Sequence, residues 1–237
     1  MALPKLTAAK YSLDVPSTGE TIEYRPYLVK EEKLLMLAME SRDRKQMITA
    51  LRDVILGCTE GKINIEKYTL FDLEYIFIKL RSKSVGENSE VGIKCQNREC
   101  NVQNAVSINM ELIEVSGTIE TKPQKIQLTE SVGVMLRYPT VKGLQKQITK
   151  EKQDDESTMA AVVSAIESIY DDENIYPAEG ETQKDMLEFV DSLTSEQFRK
   201  LTVFFEDMPK LKHDVKFTCK SCSADNEVTL EGLANFF

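Results

Sequence analysis

Val91-Gly92-Ile93-Lys94-Cys95-Gln96-Asn97-Arg98-Glu99-Cys100 and Asp214-Val215-Lys216-Phe217-Thr218-Cys219-Lys220-Ser221-Cys222 are two versions of one pattern. Each is an alternating apolar/polar run that ends in a close pair of cysteines. Each pair is followed by a second alternating run, Ala105-Val106-Ser107-Ile108 in the first case and Glu227-Val228-Thr229-Leu230 in the second. Alternation with a period of two is the signature of a half-buried strand. Strand, cysteine knuckle, strand, used twice, is how a ribbon builds a four-sulfur zinc site: two neighbouring thiolates make half a tetrahedron, and the other half must come from elsewhere in the chain. The pattern therefore predicts that Cys95, Cys100, Cys219 and Cys222 converge on one structural zinc ion, and that the more than one hundred residues between the pairs are an insertion.

Three readings of these thiols compete. The spacing Cys219-x-x-Cys222 is usual for zinc knuckles, and the longer Cys95 to Cys100 spacing still lies in the range of zinc ligands. Reduced thiols without a metal are the bland alternative. A redox-active pair is the third, but such a pair normally opens a helix after a strand, and here an alternating segment follows. Cys58, at the end of a helical pattern, reads as a buried small hydrophobe.

Composition narrows the function classes. Apolar residues make up 41% and charged residues 29% of the 237-residue chain, which suits a globular protein of one large or two small domains. No apolar run is long enough for a bilayer span, and Met1 to Leu6 lacks the apolar core of an export signal. Few cysteines without such a signal point to a reducing compartment. The net charge of −9 disfavours non-specific binding to nucleic acid or anionic membrane. The single histidine, His213, rules out a histidine-rich catalytic metal site, and there is no Gly-x-Ser-x-Gly nucleophile motif. No catalytic residue, small-molecule substrate or membrane partner is expected. Gly57-Cys58-Thr59-Glu60-Gly61-Lys62 is one residue short of a phosphate loop and has Ile63 in place of the hydroxyl, so it reads as a helix stop.

Tyr11, Leu13 and Val15, then Ile22 and Tyr24, alternate around a turn at Pro16 to Gly19 and predict a hairpin. Leu34 to Met39 after the charged turn at Glu31 predicts a short, largely buried helix. Asp43 opens a second helix, and Leu70 to Lys83 a third behind a cap at Thr69 and Asp72. Strands are expected at Leu112 to Val115, Lys125 to Leu128 and Val132 to Tyr138, with Val132, Val134, Leu136 and Tyr138 on one face. Lys150 to Glu156 reads as a flexible connection. Met159 to Tyr170 reads as a helix with Val162, Val163, Ile166 and Ile169 on its apolar face, Asp171 to Glu173 as a solvated cap and Pro177 to Gly180 as a loop. Helices over Gln183 to Leu193 and from a capping box at Thr194 to Gln197 complete the excursion. The terminal Phe236-Phe237 pair must dock on the body or await a partner.

The expected architecture is α+β. Residues 1–88 form a hairpin and helical cluster, residues 89–139 and 210–237 a zinc-ribbon-like β module whose cysteine units pair in one small sheet, and residues 140–209 a helical insertion.

Tyr24-Arg25-Pro26-Tyr27-Leu28-Val29-Lys30-Glu31-Glu32-Lys33-Leu34-Leu35, Phe71-Asp72-Leu73-Glu74-Tyr75-Ile76-Phe77 and Lys79-Leu80-Arg81-Ser82-Lys83-Ser84-Val85-Gly86-Glu87, with the opening Leu3-Pro4-Lys5, make the chain resemble the T4-type bacteriophage base plate protein family. That family includes baseplate hub subunits and hub assembly factors of myoviruses. The resemblance is strongest up to Pro139 and implies a non-enzymatic role in building the hub of a contractile tail. It also implies assembly in the host cytoplasm, a possible place in the virion baseplate, and other hub or tail proteins as partners. It carries no catalytic residues, and zinc is inferred from the cysteines alone. Basic side chains in the resembling segments, Arg25, Lys30, Arg81 and Lys83, together with Phe236 and Phe237, are the candidate partner contacts. The rival function is a zinc-ribbon nucleic-acid adaptor, suggested by Lys94, Arg98, Lys216 and Lys220 beside the knuckles and opposed by the acidic total and the lack of interleaved aromatics. A thiol- or metal-dependent hydrolase is disfavoured because four sulfur ligands leave no open position for substrate or water.

Overall fold

A computed structural model describes residues 8–41, 43–120, 122–143 and 154–236. The opening Leu3-Pro4-Lys5, the first part of the charged connection at Lys150 and the terminal Phe237 lie outside the described residues. The chain is mixed α and β, as the sequence predicts, and it divides into two compact units. One comprises residues up to 64, 71–116 and from 210 onward; the other comprises residues 65–70 and 117–209.

The first unit opens with the expected hairpin. Strand β1 (Tyr11–Asp14) pairs antiparallel with β2 (Thr21–Tyr24), with Tyr11 opposite Tyr24. Helix α1 (Val29–Ser41) and helix α2 (Arg44–Cys58) follow. Leu28 precedes α1, and the Glu31 carboxylate accepts the Leu28 backbone N–H at 2.9 Å, closing the first turn. That carboxylate is buried, and it also accepts from the Arg25 guanidinium at 2.9 Å. Arg25 donates as well to the Gly57 carbonyl at 3.0 Å. One arginine thus ties the start of α1 to the end of α2. A Cβ on Gly57 would stand only 3.2 Å from the Glu31 carboxylate, so glycine admits this close approach. Helix α2 ends at Cys58, and the chain turns through Glu60 and Gly61 with positive φ, as the helix-stop reading requires.

Helix α1 is less buried than its sequence suggests. Leu35 and Ala38 face inward, but Leu34, Met36, Leu37 and Met39 are exposed. Among the elements of this unit, α1 packs chiefly on α2, so only one side of its apolar stretch Leu34 to Met39 is covered. Helix α3 (Leu70–Val85) shows the opposite behaviour: Phe71, Leu73, Ile76, Ile78 and Leu80 are all buried. The fully buried Asp72 accepts the Ser17 amide at 2.9 Å and the Ser17 hydroxyl at 2.5 Å, holding the β1–β2 turn against α3.

Each cysteine unit is an antiparallel hairpin. Strand β3 (Asn88–Lys94) pairs with β4 (Gln103–Asn109), and strand β10 (Lys210–Thr218) pairs with β11 (Asp225–Glu231). Strand β5 (Glu114–Ser116) joins the free edge of β10. The hairpins do not merge into the single sheet expected from the sequence; they remain separate sheets. Their contact is through side chains: Val91, Ile93 and Ile108 of the first share a core with Val215 and Leu230 of the second, together with Ile78 of α3. Each hairpin has one apolar face, and burying two such faces against each other removes more apolar area from water than pairing edges would.

The second unit carries a four-stranded antiparallel meander of β6 (Gln124–Gln127), β7 (Gly133–Leu136), β8 (Ile166–Tyr170) and β9 (Ile175–Pro177). Helix α4 (Asp154–Ala165) runs directly into β8, so the helix expected to reach Tyr170 stops five residues early and its last segment pairs with β7 instead. The Asp171 to Glu173 cluster forms the β8–β9 turn, where the Asp171 carboxylate accepts the amides of Glu173 at 2.9 Å and Asn174 at 2.7 Å. Helices α5 (Gln183–Asp191) and α6 (Ser195–Glu206) each begin with a capping box, at Thr182/Asp185 and at Thr194/Gln197. The Tyr138 and Phe204 rings stack at 5.5 Å, and Val134, Leu136 and Leu201 of the same unit are fully buried.

Candidate metal centre

The turns of the two cysteine hairpins come together. Cys95 leaves β3, Cys100 leads to β4, Cys219 leaves β10, and Cys222 leads to β11. Their four Sγ atoms lie within 4.8 Å of one another. The Cys95–Cys222 sulfurs are 3.7 Å apart and the Cys100–Cys219 sulfurs 3.8 Å apart. None of the cysteines is in a disulfide. A tetrahedral ion with metal–sulfur bonds of about 2.3 Å sets its ligands about 3.8 Å apart, so the spacing is that of a four-thiolate site. Each close contact links one hairpin to the other, which is the convergence the sequence predicts. The four cysteines are close enough to hold a metal ion.

The backbone shapes both knuckles alike. The Cys95 amide donates to the Val102 carbonyl at 2.9 Å, and the Cys219 amide to the Ala224 carbonyl at 2.8 Å. The residue after the second cysteine has positive φ in both, 50° at Asn101 and 56° at Ser223. Neither is glycine; asparagine tolerates this region better than serine does. Amides of Cys222 and Ser221 aimed at Cys219 Sγ pull that thiol down to about 6, outweighing burial, which raises it. Donors that stabilise a thiolate prepare a metal ligand. Asn104 Nδ2 adds a contact to the same sulfur at 3.6 Å, and Asn97 Nδ2 approaches Cys222 Sγ at 3.9 Å. By contrast Cys58 is buried in the helical cluster, where burial pushes its thiol up to about 11; it is the inert small hydrophobe the sequence indicates.

Sequence reasoning missed Asn104 and Asn226. Both are buried polar residues at inward-facing strand positions. The available signal was their equal offset from the second cysteine of each pair, in a place where alternation calls for an apolar residue.

The other candidate residues do not gather at this centre. His213 lies mid-strand in β10, opposite Leu230. Arg25 is turned inward at the α1–α2 junction, as described, because the buried Glu31 carboxylate needs a counter-charge. On α3, Lys83 pairs with Glu87 at 3.0 Å and Glu111 at 3.2 Å, and Arg81 Nη2 donates to Ser89 Oγ at 3.2 Å. Lys79 is buried, donating to the Glu111 carbonyl at 2.7 Å, and burial lowers its ammonium pKa. The basic run of α3 is thus engaged within its own unit. Of the two readings of the tail, docking holds for Phe236, which has no exposed area and sits in the core with Ile93 and Leu211 and so is not a free partner contact; leaving it in water would cost about 2–3 kcal/mol. Lys30 is exposed, with Glu31 at 3.3 Å. Lys216, beside the second knuckle, pairs with Glu227 at 2.9 Å. Among the described residues no helix is long and apolar enough to cross a membrane.

Fold and site together define an α+β chain in which two cysteine hairpins bring four thiols close enough to hold a metal ion. Residues 8–237 match the family described as T4 bacteriophage base plate protein. The chain belongs to that family and is a phage baseplate structural protein, as the resemblance in its N-terminal segments led one to expect. Membership brings interaction with other phage structural proteins. No curated protein and no solved structure matches the chain.

Proposed function

We propose that this chain is a structural or assembly protein of the baseplate hub of a contractile tail, that it acts through protein–protein contacts, and that its four cysteines hold a structural zinc ion. The observation that supports contact-making most directly is the outer side of α1. Val29 is 66% and Leu37 64% exposed, with Leu34, Met36 and Met39 beside them. Leu34 to Met39 is an unbroken apolar run that goes round the helix; such a stretch is ordinarily buried, and exposed apolar surface of this kind marks an interaction site. Methionines in such a patch adapt to a partner's shape. Lys30 borders the patch and offers a rim charge for orientation rather than bulk affinity. Zinc is favoured over other ions because four thiolates in a tetrahedron suit it, leave no exchangeable position, and require no redox chemistry.

The test is assembly. Met36→Lys combined with Leu37→Lys should leave the helical circular dichroism unchanged and abolish co-purification with the other baseplate proteins from infected cells, since removing two central apolar contacts costs roughly tenfold or more in affinity. Normal incorporation of that double variant would remove α1 as the contact. Mass spectrometry of assembly intermediates beside purified virions distinguishes a resident subunit from a factor that leaves.

A further inference from the structure

The two cysteine hairpins are related by more than their sulfurs. Asn104 stands as far after Cys100 as Asn226 stands after Cys222. In the strand ladders Ile93 faces Asn104, and Phe217 faces Asn226, so each asparagine has the same register in its hairpin. Burial repeats too: Asn104, Val106 and Ile108 are buried, half-buried and buried, and so are Asn226, Val228 and Leu230. Two hydrogen bonds of each asparagine repeat. Asn104 Nδ2 donates to the Val102 carbonyl at 3.0 Å within its own knuckle, and its Oδ1 accepts the Lys220 backbone N–H, from the opposite knuckle, at 3.0 Å. Asn226 Nδ2 donates to the Ala224 carbonyl at 2.8 Å, and its Oδ1 accepts the Gln96 backbone N–H at 2.6 Å. Gln96 and Lys220 each follow the first cysteine of their pair.

We infer that Asn104 and Asn226 are reciprocal positioning residues of the metal centre: each clamps its own knuckle and grips the other, fixing the separation of the two thiol pairs across a local two-fold. This rests on the reading of the four cysteines as a metal site. Neither asparagine is a ligand. Each amide presents its donor and its acceptor on two separate atoms, so it can reach a carbonyl in its own knuckle and an amide in the other, which a single hydroxyl oxygen does not span. Aspartate at either position would face a carbonyl with a second acceptor, and alanine would leave a buried amide N–H and a carbonyl unpaired. The symmetry has one break: Asn104 Nδ2 also lies 3.6 Å from Cys219 Sγ, so Asn104 touches a ligand as well as positioning it.

The experiment is cobalt(II) titration of the full-length chain, read by the visible bands of tetrahedral tetrathiolate cobalt and by zinc competition, for the wild type, Asn104→Ala, Asn226→Ala, the double variant and Thr229→Ala. Thr229 bonds Asp214 on the exposed side of the β10–β11 hairpin at 2.6 Å and serves as the control. Outer-sphere partners of metal ligands are typically worth about 10–100-fold in affinity. Each asparagine variant should lose that much while Thr229→Ala keeps wild-type affinity. The double variant should lose less than the product of the two, because both asparagines are needed to fix one separation and losing either already frees it. Band positions should shift in Asn104→Ala and stay fixed in Asn226→Ala. Wild-type affinity in both asparagine variants, or an equal loss in Thr229→Ala, overturns the inference while the metal reading stands. A wild-type chain that develops no bands removes the metal reading and this inference with it.

Discussion

Arg25 and Glu31 show how single side chains settle the N-terminal half of the first unit. Burial pushes the Glu31 carboxyl up, but hydrogen bonds from Arg25, the Leu28 amide and Lys30 together hold it below the usual carboxylate range. A depressed native pKa means that the pair's contribution is complete above the unfolded carboxylate pKa and is lost as pH falls through the native one. Replacing Arg25 by alanine leaves the buried carboxylate with only the exposed Lys30 as counter-charge, which costs about 3 kcal/mol. In the variant the acid-dependent part of this group's contribution should shrink or reverse, because burial, no longer opposed by Arg25, moves the native carboxyl pKa up toward or past the unfolded one. Urea unfolding from neutral pH down to about 3 checks both the size and the direction; a variant that matches the wild-type profile would show that the pair is idle. At the other end of the chain, Phe236→Ala should cost about 3–5 kcal/mol by emptying a filled core position, although nothing in the sequence beyond its apolarity told a docked tail from an exposed one.

At the scale of elements, the legible parts were those with an unambiguous period or a local signal. The capping box at Thr194 was read from Gln197 three residues on, because a cap is made by neighbours in sequence; the one at Thr182 was not, since its partner Asp185 stands where the signature has Glu or Gln. Thr194→Ala should therefore lower stability by about 1 kcal/mol, with a similar loss for Thr182→Ala; additivity in the double variant, followed by thermal unfolding, would show the caps to be independent. Strand β8 was not legible. Val162, Val163, Ile166 and Ile169 recur at helical spacing, yet the segment from Ile166 is held by ladder bonds to β7 and β9, and β-branched Ile166 and Ile169 suit a strand as well as a helix. No glycine or proline marks the change at Ala165. The exposure of α1 was missed for a related reason: its sequence says that apolar sides exist, while the number of neighbours available to cover them is a property of the fold.

For the whole molecule the decisive information lay in the cysteines, whose pairing could be inferred from spacing and flanks although Cys100 and Cys219 are 119 residues apart. What spacing could not reveal was how the pairs find each other, since that depends on Ile78, Phe236 and the facing hairpin surfaces that the intervening chain brings into place. A cross-link closing a loop of about 100 residues removes about 4–5 kcal/mol of denatured-state entropy in the chain-entropy view, and metal that binds only the folded thiols stabilises by mass action. On the proposed metal reading, a chelator at neutral pH should thus lower the thermal midpoint and open the two hairpins first. Hydrogen exchange can resolve this: amides of Asn88–Asn109 and Lys210–Glu231 should lose protection while the β6–β9 ladder serves as the internal reference. Cys222→Ser should reproduce the loss without chelator, and Cys58→Ser, which changes a thiol far from the cluster in role if not in type, should bind metal as the wild type does. Equal protection of the hairpins with and without chelator would mean that apolar packing alone holds them, and that the thiols contribute nothing to the closure of this unit.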